Sequence, residues 1–430
     1  MKSRHILLVL ALLVSCISHE QLNREVRAHI ARTWQETVRN CPEDTPDSLI
    51  GLPRPYCVPC PDGMFNELYY WDTFFTNEGL LADGLPELAR DNTDNILFLI
   101  DRYGFMPNGN RLWYLSRSQP PFASAMVERV FQVTGDTLWL RKSYPVLCRE
   151  YAFWQEQRQT PVGLNRYGGQ ADEKLIQEFV GTAGKRLGTD FRAKGWSEEE
   201  LRAFGRHCVA ECESGWDFNP RFDRRCEDFC PVDLNALLYG MECAMAGFSK
   251  TLGNGEEALW QERAALRKER MGRYFFADDA CYDYDYVNGR PSEVLSAAPF
   301  VLLFTGAADT EQAACIRNTL ARLEYPAGLA VCADASYGYA YQWSYPNVWP
   351  PVMYMAVMGL DRYGYKDDAR RLAASWLAAT ARLYHKTGKL WEKMTCTRGE
   401  VPEGTEYGTP SMMGWTAGTY VCFDEYLHHE

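Results

Sequence analysis

The chain has 430 residues, 46% of them hydrophobic and 24% charged, as expected of an ordinary globular protein with one large domain or two smaller ones. A net charge of −12, with no run of Lys or Arg, argues against binding to nucleic acid or to anionic lipid through a basic surface. Aromatic residues are abundant, with 13 Trp, 25 Tyr and 20 Phe. They fit either a large core or an aromatic-lined carbohydrate pocket.

The N-terminus has the pattern of an export signal. A positively charged start precedes an apolar stretch, residues 6–14, which is too short to span a membrane as a stable anchor. Residues 13–16 (LVSC) resemble a bacterial lipobox, in which Cys16 becomes the lipidated first residue of the mature protein; a plain cleaved signal or a short anchor are the alternatives. We therefore predict a signal peptide at 1–16 and an exported protein of a bacterium, either periplasmic or an outer membrane lipoprotein.

The chain has 15 cysteines, and lipidation of Cys16 would leave an even number for a protein whose export permits disulfides. Close pairs occur at 57–60, 208–212 and 226–230, with His207 as the one neighbouring histidine. Disulfides or inert buried thiols are favoured over structural zinc. We predict no metal and no cofactor.

Beyond the signal, the hydrophobic pattern is that of helices. In one segment, apolar residues recur at spacings of three and four and share one helix face: Leu234, Leu237, Leu238, Met241, Met245 and Phe248. Similar patterns predict about a dozen helices, the others lying near 20–39, 67–83, 86–102, 121–134, 137–159, 197–211, 256–272, 311–323, 350–364, 367–388 and 414–428. Pro145 is expected to kink or split its helix. Residues 168–196 are expected to form a loop or lid.

The helices indicate an all-α fold. Period-two runs of Val and Ile are almost absent, and no low-complexity linker divides the chain, so we predict a single domain, 17–430. Paired helices without a sheet form either a solenoid or a closed ring of hairpins. No repeat of fixed period is present, which weakens the solenoid. A closed α/α toroid would gather the loops of one rim around one cavity.

Two acidic residues stand in aromatic settings. Asp217 lies in the stretch ESGWDF, and Glu392 lies in LWEK. Hydrolysis of a glycosidic bond takes one carboxylic acid to protonate the leaving oxygen and one carboxylate to activate water or to attack. Apolar surroundings raise the pKa of a carboxyl group, so that it keeps its proton and can act as the general acid. Either residue alone is more often structural, so the hypothesis depends on the rest of the chain.

Five loop-like stretches combine aromatic residues with Gly or Pro and a few polar side chains: residues 63–72, 106–121, 213–221, 341–351 and 390–415. The sequences PNGNRLWYLSRSQPP and ESGWDF are specific, and VDLNALLYGME at 232–242 fits with them. In this order they resemble the family-37 trehalases, which are inverting glycosidases built on an (α/α)6 barrel. The resemblance runs from about Leu52 to Tyr420.

The resemblance implies a role for individual residues. Asp217 matches the general acid and Glu392 the general base. The substrate-binding positions that it implies are Phe65, Trp71, Asp72, Asn108, Arg117, Gln119, Gly215, Gln342, Trp343, Glu406 and Trp415. Carboxylate and amide groups can form hydrogen bonds with sugar hydroxyl groups, and a guanidinium group can donate two parallel hydrogen bonds. Indole rings offer flat apolar surfaces to the sugar ring.

The chain also departs from the family pattern. Met64 stands where the family has an arginine before Phe65, and Ser344 stands where it has an aspartate. Residues 168–173 (GGQADE) replace an Arg-Pro-Glu-Ser run, and the glycine run before Glu406 is reduced. The loss of a buried hydrogen-bond partner costs on the order of 1–3 kcal/mol of binding free energy. These changes therefore affect which substrate is recognised more than the chemical step.

The sequence therefore predicts an exported trehalase-like hydrolase that converts α,α-trehalose to glucose with inversion. Its partner would be a small carbohydrate, a disaccharide or an oligosaccharide. Three alternatives stay open: an inverting α-glycosidase for another α-glucoside, a glycan-binding lipoprotein without activity, and a structural helical toroid.

Overall fold

The computed structural model describes residues 18–277, 280–403 and 408–428. Its helices, in chain order, are α1 His19–Thr33, α2 Tyr70–Ala82, α3 Pro86–Tyr103, α4 Ala123–Thr134, α5 Thr137–Arg158, α6 Glu173–Arg186, α7 Glu198–Glu213, α8 Val232–Leu252, α9 Glu257–Tyr274, α10 Phe300–Thr305, α11 Thr310–Asn318, α12 Leu320–Leu323, α13 Pro350–Arg362, α14 Lys366–Thr387 and α15 Gly414–His428.

Local signals in the sequence fix many of these helix ends. Ser197 caps α7 with a capping box, in which its hydroxyl group accepts from the backbone N–H of Glu200 and the Glu200 carboxylate accepts from the backbone N–H of Ser197. Asp136 caps α5 through the N–H of Trp139. At the other end, Gly388 adopts the left-handed conformation that stops α14.

The helices form two concentric rings. The inner ring is α2, α4, α8, α10, α13 and α15, each in contact with the next, and α15 closes the ring against α2. The outer helices α1, α3, α5, α9, α11 and α14 pack on the inner ones and connect them along the chain. This is the predicted (α/α)6 barrel.

The structure corrects several predicted elements. The predicted loop at 168–196 contains α6, which pairs with α7 as an additional hairpin on the barrel. Helix α5 continues through Pro145 without being split. The inner helix α10 was missed, because six residues between Pro299 and Gly306 are too few to show a helical period.

The strands in the described residues are two residues long and pair antiparallel. They are β1 Val38–Arg39 with β2 Tyr56–Cys57, β3 Phe229–Cys230 with β6 Tyr284–Asp285, β4 Phe276–Ala277 with β5 Ala280–Cys281, β6 with β7 Arg290–Pro291, β8 Glu324–Tyr325 with β9 Gly328–Leu329, and β10 Asn347–Val348 with β11 Met394–Thr395. The pair β10–β11 joins the two segments that carry Trp343 and Glu392.

Aromatic side chains fill the interior of the inner ring, midway between its two ends. Phe74 stacks on Phe122 at 4.5 Å between ring centroids and meets Tyr354 edge-on at 6.1 Å. Phe75 and Phe304 complete the group through further edge-on contacts. This plug separates the two mouths of the barrel.

Every cysteine among the described residues is a free thiol, so of the predicted alternatives the structure favours inert thiols over disulfides. No helix in the described ranges combines the length and apolar character needed to cross a membrane. The predicted signal peptide and the predicted boundary at residue 16 fall in residues 1–17, outside the described part of the chain.

Two glycines close the inner ring. A Cβ atom on Gly418 of α15 would lie 2.0 Å from the carbonyl oxygen of Phe75, and one on Gly79 of α2 would lie 2.4 Å from the Cα of Gly418. The two helices therefore touch backbone to backbone, a distance that only glycine permits.

We expect Gly418→Ala to reduce the free energy of unfolding by about 3 kcal/mol or more, because α15 must move off α2 to make room for the methyl group. The urea midpoint followed by circular dichroism measures this. Gly247→Ala is the matched control, since Gly247 lies in α8 with open space around its Cα. It should be neutral or slightly stabilising. Equal midpoints for the two variants would contradict the packing argument.

Candidate active site

A cavity of about 150 Å³ opens at the mouth of the barrel where the inner helices begin. The segments that lead into α2, α4, α8, α13 and α15 all reach it, because the inner helices run in parallel and their N-termini share one rim. Most of the residues that the sequence singled out line this cavity: Phe65, Trp71, Asp72, Asn108, Arg117, Gln119, Gly215, Asp217, Trp343, Glu392 and Trp415.

Asp217 is carried on a tight turn after α7. Gly215 and Phe218 both adopt positive φ, at 73° and 63°, and a Cβ atom on Gly215 would lie 2.9 Å from the indole of Trp71. The side-chain amide of Gln342 donates to both the backbone oxygen and Oδ2 of Asp217, at 3.1 and 3.2 Å. The turn and the amide together fix the direction of the carboxyl group.

Gln342 is not among the cavity-lining residues, and its side-chain amide bonds to Asp217. Its contact with substrate stays a prediction. Its Oε1 atom is buried and has no hydrogen-bond partner among the described residues.

Glu213, the last residue of α7, holds three loops together. Its carboxylate accepts the Nε and Nη2 donors of Arg158 at 2.8 and 2.9 Å, together with the backbone N–H groups of Ser118 at 2.8 Å and Gly168 at 2.7 Å. Both side chains of the ion pair are buried. A buried, fully bonded charge pair of this kind fixes geometry, because neither partner tolerates separation.

Glu392 lies on the facing segment of the cavity. Its backbone N–H donates to the carbonyl of Pro410 at 3.1 Å, and its own carbonyl accepts from Nε1 of Trp415 at 3.0 Å. Lys393, the next residue, forms a buried ion pair with the Glu392 carboxylate. The ammonium group favours the charged form of that carboxylate.

A series of stacked rings connects the two acidic segments. Trp216 stacks on Trp343 at 5.2 Å, and Trp343 stacks on Trp349 at 3.7 Å with the ring planes 6° apart. The guanidinium of Arg221 lies 4.5 Å from the Trp216 ring, and the ammonium of Lys393 lies 4.4 Å from the Trp349 ring. A cation on each terminal ring adds to the attraction of the stack.

Asp72 lies in the first turn of α2, facing both acidic residues. Burial raises the pKa of Asp72 to about 8, and the charges of Glu392 and Asp217 add to this rise. At neutral pH its carboxyl group therefore holds a proton and can both donate and accept hydrogen bonds, which suits contact with a hydroxyl group.

Glu211 supports the acid-bearing turn from behind. Its Oε1 accepts from the backbone N–H of Asn219 at 2.7 Å and from the Asn219 side chain at 3.0 Å. Burial raises the pKa of Glu211 to about 8; the hydrogen bond to Asn219 opposes the rise, as does Arg186.

Sequence reasoning missed several lining residues: Tyr69, Tyr114, Cys212, Trp349 and Met412. Tyr69, Tyr114 and Trp349 stand inside the aromatic stretches already noted, so their position in those motifs was a usable signal. Met412 also lies inside one of these stretches, 390–415, whereas Cys212 lies just outside them and carries no such signal.

Two departures from the family pattern have a structural counterpart. Met64 is exposed and does not line the cavity. Gly168 and Gly169 pack closely, since Cβ atoms there would lie 3.1 Å from the Arg158 side chain and 2.3 Å from Val209. This part of the segment therefore sends no side chain into the cavity.

The predicted contact Glu406 lies outside the described residues. Within the described ranges, no cluster of three or more His, Cys, Asp or Glu side chains has an arrangement that could hold a metal ion.

Comparison with known proteins adds to this geometry. A family model described as Trehalase matches residues 10–427. The periplasmic trehalase of Pseudomonas aeruginosa is 36% identical over 424 residues, which cover 92% of this chain and 75% of that protein.

Solved structures of similar fold include another trehalase. Neutral trehalase Nth1 from Saccharomyces cerevisiae superposes with a TM-score of 0.74 at 30% identity, over 86% of this chain and 73% of that one. The mannosylglycerate hydrolase of Thermus thermophilus, solved with glucose, has a TM-score of 0.65 at 16% identity over 93% and 99% of the two chains. At that identity the likeness shows the fold alone.

We expect Asp72→Asn to raise the melting temperature by on the order of 5 °C at pH 8 and by less at pH 5. The folded wild type holds the Asp72 proton up to a pKa of about 8, whereas the unfolded chain loses it near 3.8. Wild-type stability therefore falls as the pH rises between these values, and asparagine, which stays neutral, removes that fall. Scanning calorimetry from pH 4 to 9 measures the difference.

The exposed Asp334 provides the control, and Asp334→Asn should show no such pH-dependent gain. A gain for Asp72→Asn that stays constant or shrinks between pH 5 and pH 8 would contradict the buried, protonated carboxyl group.

Proposed function

We propose that this chain, which belongs to the trehalase family of glycoside hydrolases, hydrolyses α,α-trehalose to two molecules of glucose by a single displacement with inversion. The observation that carries the proposal is the placement of Asp217 and Glu392 in one tryptophan-walled cavity, on segments joined by stacked rings. The relatives that share the family support the choice of substrate.

In this proposal Asp217 is the general acid. Its Oδ2 accepts the amide of Gln342, which leaves Oδ1 to carry a proton into the cavity. The proton passes to the oxygen that bridges the two sugars as the bond from that oxygen to the anomeric carbon breaks. The leaving glucose then departs as a neutral alcohol.

Glu392 is the general base. Its carboxylate is in an ion pair with Lys393, and the base takes a proton from a water molecule on the face of the ring opposite the leaving oxygen. The water oxygen bonds to the anomeric carbon with inversion. The tryptophan walls, Trp71, Trp343 and Trp415, offer apolar faces to the sugar that is cleaved.

A second candidate is hydrolysis of another α-glucoside by the same pair of carboxylates. Exposed Met64 and the glycine pair at 168–169 favour it, because neither supplies the contact that the family pattern has at that position. Membership of a glycoside hydrolase family argues against the two non-catalytic alternatives, a glycan-binding lipoprotein and a structural toroid.

The proposed location is the bacterial periplasm, which is supported by the export-type N-terminus and by the periplasmic relative. The lipid anchor at Cys16 stays a prediction on residues outside the described part of the chain.

Anomer-resolved proton NMR of the mature chain with α,α-trehalose tests the reaction. Inversion releases equal amounts of α- and β-glucose at early times, one anomer from each half of the substrate. Release of α-glucose alone would contradict inversion. No release, with turnover of another α-glucoside, would favour the second candidate.

We expect Asp217→Asn and Glu392→Gln each to lower kcat by on the order of 10³-fold, because each removes one of the two proton transfers. Binding of trehalose, measured by calorimetry, should remain. Glu400→Gln is the matched control, since Glu400 is an exposed carboxylate on the same segment as Glu392. Loss of binding together with activity would point to a structural role for the pair.

Fractionation of cells that express the full chain tests the location. The wild type should appear in the periplasmic or membrane fraction, and deletion of residues 2–16 should retain it in the cytoplasm. Incorporation of labelled palmitate into the wild type, abolished by Cys16→Ala, would establish the anchor; labelling that survives the substitution would refute it.

A further inference from the structure

The position of the acid determines where the leaving sugar must lie. This inference rests on the proposed function, in which Asp217 protonates the bridging oxygen and Glu392 acts from the other face of the cleaved ring. The leaving sugar therefore occupies the side of the cavity next to Asp217 and away from Glu392.

A second cavity, of only about 20 Å³, adjoins the active-site cavity on this side. Cys212, at the end of α7, lines both cavities, so its side chain marks the junction between them. The second cavity also includes Phe218, the residue after Asp217, together with side chains of the α6–α7 hairpin. The hairpin has its own small apolar core, which sets α6 rigidly in place.

Two guanidinium groups flank the junction. Arg117, on the active-site side, lies between the rings of Tyr114 and Phe179, at 5.2 and 5.5 Å. Its Nε is buried and has no hydrogen-bond partner among the described residues. Arg186, at the end of α6, lies over the ring of Phe218 at 5.2 Å.

Cys212 shares the active-site cavity with Arg117 and the second cavity with Arg186. Burial, with Asp217 and Glu211, raises the pKa of Cys212 to about 12, although the two guanidinium groups lower it.

Phe218 and Phe179 supply apolar surfaces in the second cavity. Two neighbouring sugar hydroxyl groups can accept hydrogen bonds from one planar guanidinium group. The apolar face of a pyranose can pack against an aromatic ring.

We propose that the α6–α7 hairpin forms the leaving-sugar subsite and that Arg186 is a specificity-determining residue, which donates hydrogen bonds to hydroxyl groups of the leaving sugar. Arg186 supplies a guanidinium to this side of the active-site cavity from α6. The ligand is a neutral pyranose that lies in the active-site cavity next to Cys212, with hydroxyl groups directed toward Arg186.

Arg186→Met tests the proposal with two substrates. The leaving group of α,α-trehalose is a whole sugar, whereas that of α-glucosyl fluoride is a single atom that cannot reach Arg186. We expect kcat/KM for trehalose to fall about tenfold or more, as for a lost hydrogen bond from a charged donor, while kcat/KM for the fluoride stays within about twofold. Arg192→Met is the control, because Arg192 lies on the same hairpin in an exposed pair with Glu198.

Each other outcome counts against the proposal. An equal loss with both substrates would mean that Arg186 acts through Phe218 on the acid-bearing turn. An unchanged kcat/KM for trehalose would exclude Arg186 from the subsite. Should Arg186→Met fail to fold, Arg186→Lys keeps the charge and the aliphatic stem but loses the fork, and the same contrast between substrates is expected.

The wild-type enzyme separates this inference from the proposed function. Turnover of trehalose by the wild type with no selective loss in the Arg186 variants refutes the inference alone. Turnover of the fluoride but not of trehalose by the wild type refutes the proposed substrate and the leaving-sugar role of Arg186 with it. Turnover of neither would refute the assignment of the carboxylate pair.

Discussion

The stack of Trp216, Trp343 and Trp349 is the interaction on which the site depends. It connects the turn that carries the acid to the segment that carries the base, and Arg221 and Lys393 lie on its terminal rings. Because flat aromatic rings have few rotatable bonds, ordering them in the stack costs little side-chain entropy. The stack therefore fixes the position of one segment relative to the other. Two carboxylates from segments about 175 residues apart in the chain are thereby held in one cavity.

The barrel gives this stack a fixed frame. Gly79 and Gly418 let α2 and α15 close the ring backbone to backbone, and the aromatic plug fills the space between the mouths. Burial raises the pKa of Asp72 to about 8, and the charges of Glu392 and Asp217 add to the rise. Lys393 forms a buried ion pair with Glu392, so the carboxyl groups of the site have different electrostatic surroundings.

Much of the fold could be predicted because helices are specified locally. The apolar face of α8, the caps of α5 and α7 and the stop at Gly388 are all readable within a few turns of chain. The six residues of α10 were not readable, since their helix is stabilised by packing against α8 and α13 rather than by any pattern of their own. Helix α6 differs, because Asp172 caps its start and Ile176, Val180 and Ala183 share its buried face at helical spacing, although its segment was predicted as a loop or lid.

By itself the sequence determined the helical character of the chain and the aromatic stretches that contain Asp217 and Glu392, because periodicity and motif spacing are properties of the chain. The closed barrel and the roles of the two acidic residues were implied by the resemblance that those stretches carry. The tertiary structure alone decided that Gln342 bonds to Asp217, that Lys393 both pairs with Glu392 and covers Trp349, and that Arg186 and Cys212 line one cavity. These contacts join segments that are distant in the chain or depend on the direction of a side chain. Only the packing of the folded barrel determines such long-range contacts and side-chain directions.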